Sequence, residues 1–193
     1  MQIPVSCCTY TPGELSYTHF IRGGEGWDYH QGPFIYPYSD GRVFMAWYAY
    51  DIQECSNDGV LLYAQSYDRG ETWDPPQVWM ASPNSIATHP QIVQLRETGR
   101  ALLLYRDGHM VGAQEDKRRK RVTRWANYGA SPTYIVLRRS EDRGETWGQP
   151  EQIDPTLIVD EFEPPFYGAP ERLMQLSGGE ILLVVMYLPP KLS

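Results

Sequence analysis

An all-β chain, arranged as a β-propeller of four-stranded antiparallel blades, follows from three observations. The octapeptide SYDRGETW (66–73) returns almost unchanged as SEDRGETW (140–147). Ahead of each copy comes the same order of features: a Pro, a short strand-like run, a polar turn with Gly, then an apolar run. Strand-forming aromatic and aliphatic runs are broken by 17 Gly and 16 Pro, and no stretch carries a helical period. Repetition of this kind, with four short strands to a unit, is how a propeller blade is written.

The elements follow in order. Blade 1 covers about 30–80: PFIYPYSDGRVFMAWYAY (33–50) holds two strands turning at Gly41, VLLYAQS (60–66) leads into the octapeptide, and a weaker fourth strand lies near QVWM (77–80). Blade 2 covers about 88–154, with PQIVQLRETGRALLLYR (90–106) turning at Gly99, TYIVLRRS (133–140) as third strand and EQI (151–153) as fourth. A third copy, about 167–188, contains PERLMQLSGGEILLVVMYL (170–188) with its turn at Gly179. The chain 1–193 thus reads as a single incomplete domain of about two and a half blades. Ring closure takes roughly four to eight blades, so a C-terminal half outside this chain, or self-association, is expected to complete it. Blade 2 also carries an insertion, 107–131, read as a long loop, with six of the 17 Lys and Arg: Lys117, Arg118, Arg119, Lys120, Arg121 and Arg124.

The octapeptide reads as a turn. Asp68 and Asp142 can accept hydrogen bonds from N–H groups just downstream, and Gly70 and Gly144 permit positive φ. Thr72 and Thr146 add hydroxyls, and Trp73 and Trp147 offer large apolar surfaces. Arg69 and Arg143 stand where a calcium loop would need another carboxylate, so no metal is expected. The net charge of −7 argues against general nucleic-acid binding. Cys7, Cys8 and Cys55 form neither a disulfide framework nor a zinc spacing. No apolar run reaches membrane-spanning length, the longest being ILLVVMYL (181–188). The start, MQIPVSCCTY, lacks the basic and apolar regions of a secretory signal, which leaves localisation open.

The pattern S-x-D-x-G-x-T-W, complete in both copies, resembles the Asp-box of the sialidase-like (BNR-repeat) β-propellers, over roughly residues 30–188. The resemblance implies a six-bladed propeller with its Asp-boxes joining third to fourth strands on the face opposite the substrate. It also implies a carbohydrate-active protein with a glycan partner and no cofactor. The leading reading is an exo-acting, sialidase-like glycosidase that hydrolyses terminal, acidic sugars. A polysaccharide lyase or rhamnosidase-type propeller using a His acid/base, or a non-catalytic glycan-binding propeller, are the alternatives.

Candidate residues lie on the opposite rim. Tyr29-His30-Gln31-Gly32, Thr88-His89 and Tyr167-Gly168-Ala169 each precede the Pro of a first strand, and Glu171 follows the third. His30 and His89 are read at matching register and suit proton transfer. Counting seven residues from each hairpin Gly gives Tyr48, Arg106 and Met186 at the second-strand ends. Arg106 is a natural carboxylate clamp, and Asp51 is a candidate acid. Trp125 offers a ring on which a sugar can stack. By resemblance, Arg22 in HFIRGG stands in for the first member of an Arg triad, and Tyr167 with Glu171 would form the nucleophile pair.

Overall fold

A computed structural model describes residues 27, 29–52, 54, 56–81, 86–116, 118–119, 121–127, 130–158 and 167–188. The strands are β1 (Tyr29–Pro37), β2 (Val43–Tyr50), β3 (Val60–Ser66), β4 (Gln77–Ala81), β5 (Thr88–Gln94), β6 (Ala101–Gly108), β7 (Gln114–Asp116), β8 (Arg121–Arg124), β9 (Thr133–Ser140), β10 (Glu151–Gln152), β11 (Tyr167–Gln175) and β12 (Ile181–Leu188). They form two four-stranded antiparallel sheets, β1-β2-β3-β4 and β5-β6-β9-β10, and two hairpins, β11-β12 and β7-β8. The 3-10 turn Pro155–Leu157 is capped by Asp154. Among the described residues no helix is long and apolar enough to cross a membrane.

Strand alternation explains why the sheets stack. Successive side chains on β6 point to opposite faces. Leu103 and Tyr105 join Phe44, Tyr50 and Leu61 of the first sheet in one core, while Leu104 joins Val93, Ile135 and Leu173 in the next. Each fully buried side chain of this size contributes roughly 1.5–3 kcal/mol. The outward face of β12 differs: Leu182, Val184 and Met186 are 41, 45 and 41 % exposed.

The repeated turn works as a clasp. In blade 2 the Ser140 hydroxyl accepts the Gly144 N–H at 2.7 Å and donates to Asp142. Asp142 also accepts the Thr146 N–H and hydroxyl, and these bonds hold its carboxyl down at about 2. Ser66, Asp68, Gly70 and Thr72 repeat the pattern. Positive φ falls on Arg69 (63°) and Arg143 (62°) as well as on the glycines after them. The second turn also seats on blade 1. Arg42, at the end of the β1–β2 turn, pairs with Glu145, donates to the Arg143 carbonyl at 2.8 Å, and lies over the Tyr38 ring. A Cβ on Gly144 would come within 2.3 Å of the Tyr38 hydroxyl, so this close approach needs glycine. Trp147 completes the join with an edge contact to Trp79 on β4.

The insertion is not the featureless loop expected from its polar sequence. Its middle folds back as the β7–β8 hairpin. Strands of three and four residues with no apolar alternation carry too little pattern to be seen in sequence.

Candidate functional site

Register fixes which end of the sheets carries the candidates. Gln94 pairs with Ala101 and Ala101 with Ser140, so the repeated turn leaves the same end as the β5–β6 hairpin. Thr88 pairs with Arg106 at the other end. There each first strand is interrupted by a bulge, between Gln31 and Phe34, Thr88 and Gln91, and Pro170 and Arg172. Bulges of this kind re-aim side chains.

The second bulge holds His89 at φ 54°, a left-handed conformation uncommon for a residue other than glycine, and directly before Pro90. Its imidazole lies across the junction on Tyr48 of the first sheet, rings 5.2 Å apart and 24° from parallel. Tyr48 is buried, and it fits because Gly32, at φ 57°, has no Cβ; one would sit 2.2 Å from the Tyr48 ring. Arg106 is 3 % exposed, with its Nε donating to the Thr88 hydroxyl at 2.9 Å. Glu171 reaches in from β11, its Oε1 3.7 Å from His89 Nε2, while its side chain stays 42 % exposed. Burial first, and the Arg106 charge second, pull the His89 pKa down to about 3. The contact with Glu171 is therefore between a carboxylate and a neutral imidazole, and 3.7 Å is too long for a direct hydrogen bond. His89 Nδ1 is buried without a partner among the described residues. That favours the tautomer with Nε2–H turned towards Glu171.

The other expected residues scatter around this cluster. His30 is not the counterpart of His89: Gly32 is, since both hold positive φ directly before a Pro within the bulge. His30 pairs with Ala49 and accepts the Trp47 indole N–H at 3.1 Å on the face of the sheet away from Tyr48. Side chains alternate faces, so the two histidines are not brought together. In the third hairpin Met186, opposite Ala169, continues the face of Leu182 and Val184, as Tyr48 continues that of Phe44 and Arg106 that of Leu104. Tyr187, opposite Gly168, packs on the other face with Leu183 and Val185. Gln31 donates to the Tyr29 hydroxyl at 3.1 Å and to Glu54 at 3.2 Å. Trp125 is 51 % exposed beyond β8. Tyr167 opens β11 opposite Leu188, but its side chain, like the whole of Arg22, lies outside the described residues.

Asp51, just past β2, leads to a residue that sequence reasoning missed. Its N–H bonds to the carboxylate of Asp58, whose pKa is raised by burial first, then by Glu115 and Asp51. A carboxyl raised in this way holds its proton more readily than its neighbour. The only sequence signal was the turn Asn57-Asp58-Gly59 ahead of β3.

Neither a known protein-family profile nor a curated protein sequence matches the chain. Solved structures do. A Hadza microbial sialidase, Hz136, superposes at a TM-score of 0.64 with 15 % identity over 86 % of this chain and 34 % of its own. The leech intramolecular trans-sialidase gives 0.62 with 13 % identity, over 91 % and 43 %. An α-L-arabinanase from Penicillium chrysogenum gives 0.52 with 12 % identity, over 80 % and 39 %. The chain therefore spans well under half the length of these proteins. Identities this low establish architecture and not activity, and the architecture is that of a sialidase-like β-propeller.

Proposed function

We propose that the chain carries part of the site of a sialidase-like exo-glycosidase that removes terminal acidic sugars from glycans. The observation that carries this reading is the cluster at the rim. Buried Arg106 is strapped to Thr88 beside a backbone-strained, neutral His89 and an exposed Glu171, at the end of the sheets away from the repeated turn. Strain of that kind collects at functional sites.

In this scheme Arg106, with Arg22, binds the sugar carboxylate as a preorganised cation. Gln31 and Tyr48 contact the ring and its hydroxyls. His89 positions a hydroxyl between its Nε2–H and Glu171. Glu171 takes the phenolic proton of Tyr167 as that oxygen attacks the anomeric carbon, while the Asp51–Asp58 pair protonates the departing glycosidic oxygen. Water then cleaves the Tyr167–sugar bond with the proton moves reversed. His30, held from the Trp47 face, has no part in these steps. Further sheets, from a longer chain or a second copy, would cover the exposed face of β12 and complete the ring.

The lyase alternative needs a histidine base. His89, with its pKa near 3, accepts a proton poorly at neutral pH. A fluorogenic sialoside tests the main reading: turnover that falls at least a hundredfold on Arg106→Met supports it. Sugar binding without turnover would leave a binding module, and turnover indifferent to Arg106→Met would refute the scheme.

A further inference from the structure

The β7–β8 hairpin rises from the rim that carries His89, since β6 ends at Gly108 opposite Thr133, where β9 begins. Its root is fixed. Asn57 of the first blade gives and accepts hydrogen bonds with Met110, at 2.9 and 2.7 Å, and Ser131 accepts the Val111 N–H at 2.9 Å. Across the hairpin Gln114 faces Arg124, Asp116 faces Arg121, and Glu115 faces Val122. Cross-strand partners share a face, and the register shift between Gln114 and Glu115, which leaves Thr123 as an extra residue, brings Arg124 round to the face of Arg121. The two faces therefore differ in character. Glu115 and Val122 are half-buried, and Glu115 acts on Asp58 of the first blade, so theirs is the inward face. Arg121 and Arg124 are exposed on the outward face, Arg118 is exposed at the tip, and Trp125 follows directly. Arg119, also at the tip, is 3.7 Å from Asp116.

This sorting places cations together on a chain whose net charge is −7. Solubility does not call for it, because the acidic remainder already supplies charge. We propose that the outward face of the hairpin is a second subsite, in which Arg121, Arg124 and Arg118 bind the sulfate or carboxylate groups of an anionic oligosaccharide whose ring stacks on Trp125. Arg121 and Arg124 stand opposite Asp116 and Gln114, two strand residues apart or roughly 7 Å, close enough for neighbouring anionic groups of one saccharide chain. Nucleic acid is the poorer fit, since a long polyanion would run on from the hairpin over an acidic surface.

The proposal rests on the carbohydrate reading of the rim, and its test reads binding apart from turnover. Isothermal titration of the whole chain uses a size-defined sulfated dodecasaccharide, with a neutral oligosaccharide of equal length as control. Arg121→Ser/Arg124→Ser is compared with Arg100→Ser/Arg139→Ser, an equal loss of charge at the other end of the sheets, after both are shown folded by circular dichroism. The expected result is at least tenfold weaker binding of the sulfated chain by the hairpin variant alone. Wild-type affinity should also fall roughly tenfold or more from about 50 to about 200 mM salt. Sialoside turnover should be unchanged in the hairpin variant; if no turnover is seen in any protein while the binding difference holds, the glycosidase reading fails and the subsite stands. Equal weakening in both variants, unchanged binding in the hairpin variant, or equally tight binding of single-stranded DNA would overturn the subsite.

Discussion

His89 gives the sharpest quantitative test, because burial and Arg106 together hold its pKa at about 3 against an ordinary value of 6.5. The folded state thus refuses a proton that the unfolded chain accepts. Stability tied to this group is fully present above the unfolded value near 6.5, and is lost progressively as pH falls towards about 3. At pH 4 the loss extends over about 2.5 units at 1.36 kcal/mol each, or about 3 kcal/mol relative to pH 7. That is a large share of a typical domain stability of roughly 5–15 kcal/mol. The assay is denaturant unfolding of wild type and His89→Asn at both pH values, Asn being chosen because it tolerates the left-handed backbone. Groups common to both proteins, including Asp58 with its opposite sign, cancel in the difference. Wild type should lose about 3 kcal/mol more than the variant between pH 7 and pH 4. Equal losses, within about 1 kcal/mol, would show that water reaches the imidazole and that the packing against Tyr48 is not as described. Arg106→Met supplies a second arm: it should move the imidazole titration seen by NMR upward, since it removes one of the two causes.

Other perturbations probe the supports of the site. Gly32→Ala should cost about 1–3 kcal/mol, because its Cβ would strike the Tyr48 ring in a backbone region that also penalises alanine; thermal melts and loss of the His89–Tyr48 ring-current shift would report it. Ser140→Ala strips the repeated turn of the acceptor for the Gly144 N–H and should cost about 1–3 kcal/mol in denaturant unfolding. A cost near zero would mean that solvent replaces the hydroxyl freely. Arg42→Met should cost a similar amount, about 1–3 kcal/mol, by leaving the Arg143 carbonyl without its donor. Hydrogen exchange in that variant should quicken where the second turn meets the first blade, around Tyr38 and Gly144.

Much of the architecture was legible because it rests on local chemistry repeated in register. The strand runs 60–66 and 133–140 coincide with β3 and β9, and the Ser-Asp-Gly-Thr turn closes on hydrogen bonds within its own eight residues. The site was legible only in part. Counting from the hairpin glycines brought out Tyr48 and Arg106, since hairpin register is arithmetic. Matching His30 to His89 from the Pro that follows each failed, because bulges add residues that no periodicity announces. Asp58 was invisible for another reason: its carboxyl is pushed up by burial and by Glu115 from a different blade, a juxtaposition made by packing alone. The clasp of Arg42 on Glu145 and the Arg143 carbonyl is likewise a contact between blades that neither octapeptide reveals by itself.

The repeated turn is a structural clasp, and the proposed binding chemistry lies at the opposite end of the sheets. The most direct test is a residue-resolved NMR titration of the chain with N-acetylneuraminic acid, repeated on Arg106→Met. Shifts should cluster at Tyr48, Thr88, His89, Arg106 and Glu171, be absent from 66–73 and 140–147, and be lost in the variant. Shifts centred on Asp68 and Asp142, or rim shifts that survive Arg106→Met, would contradict that placement.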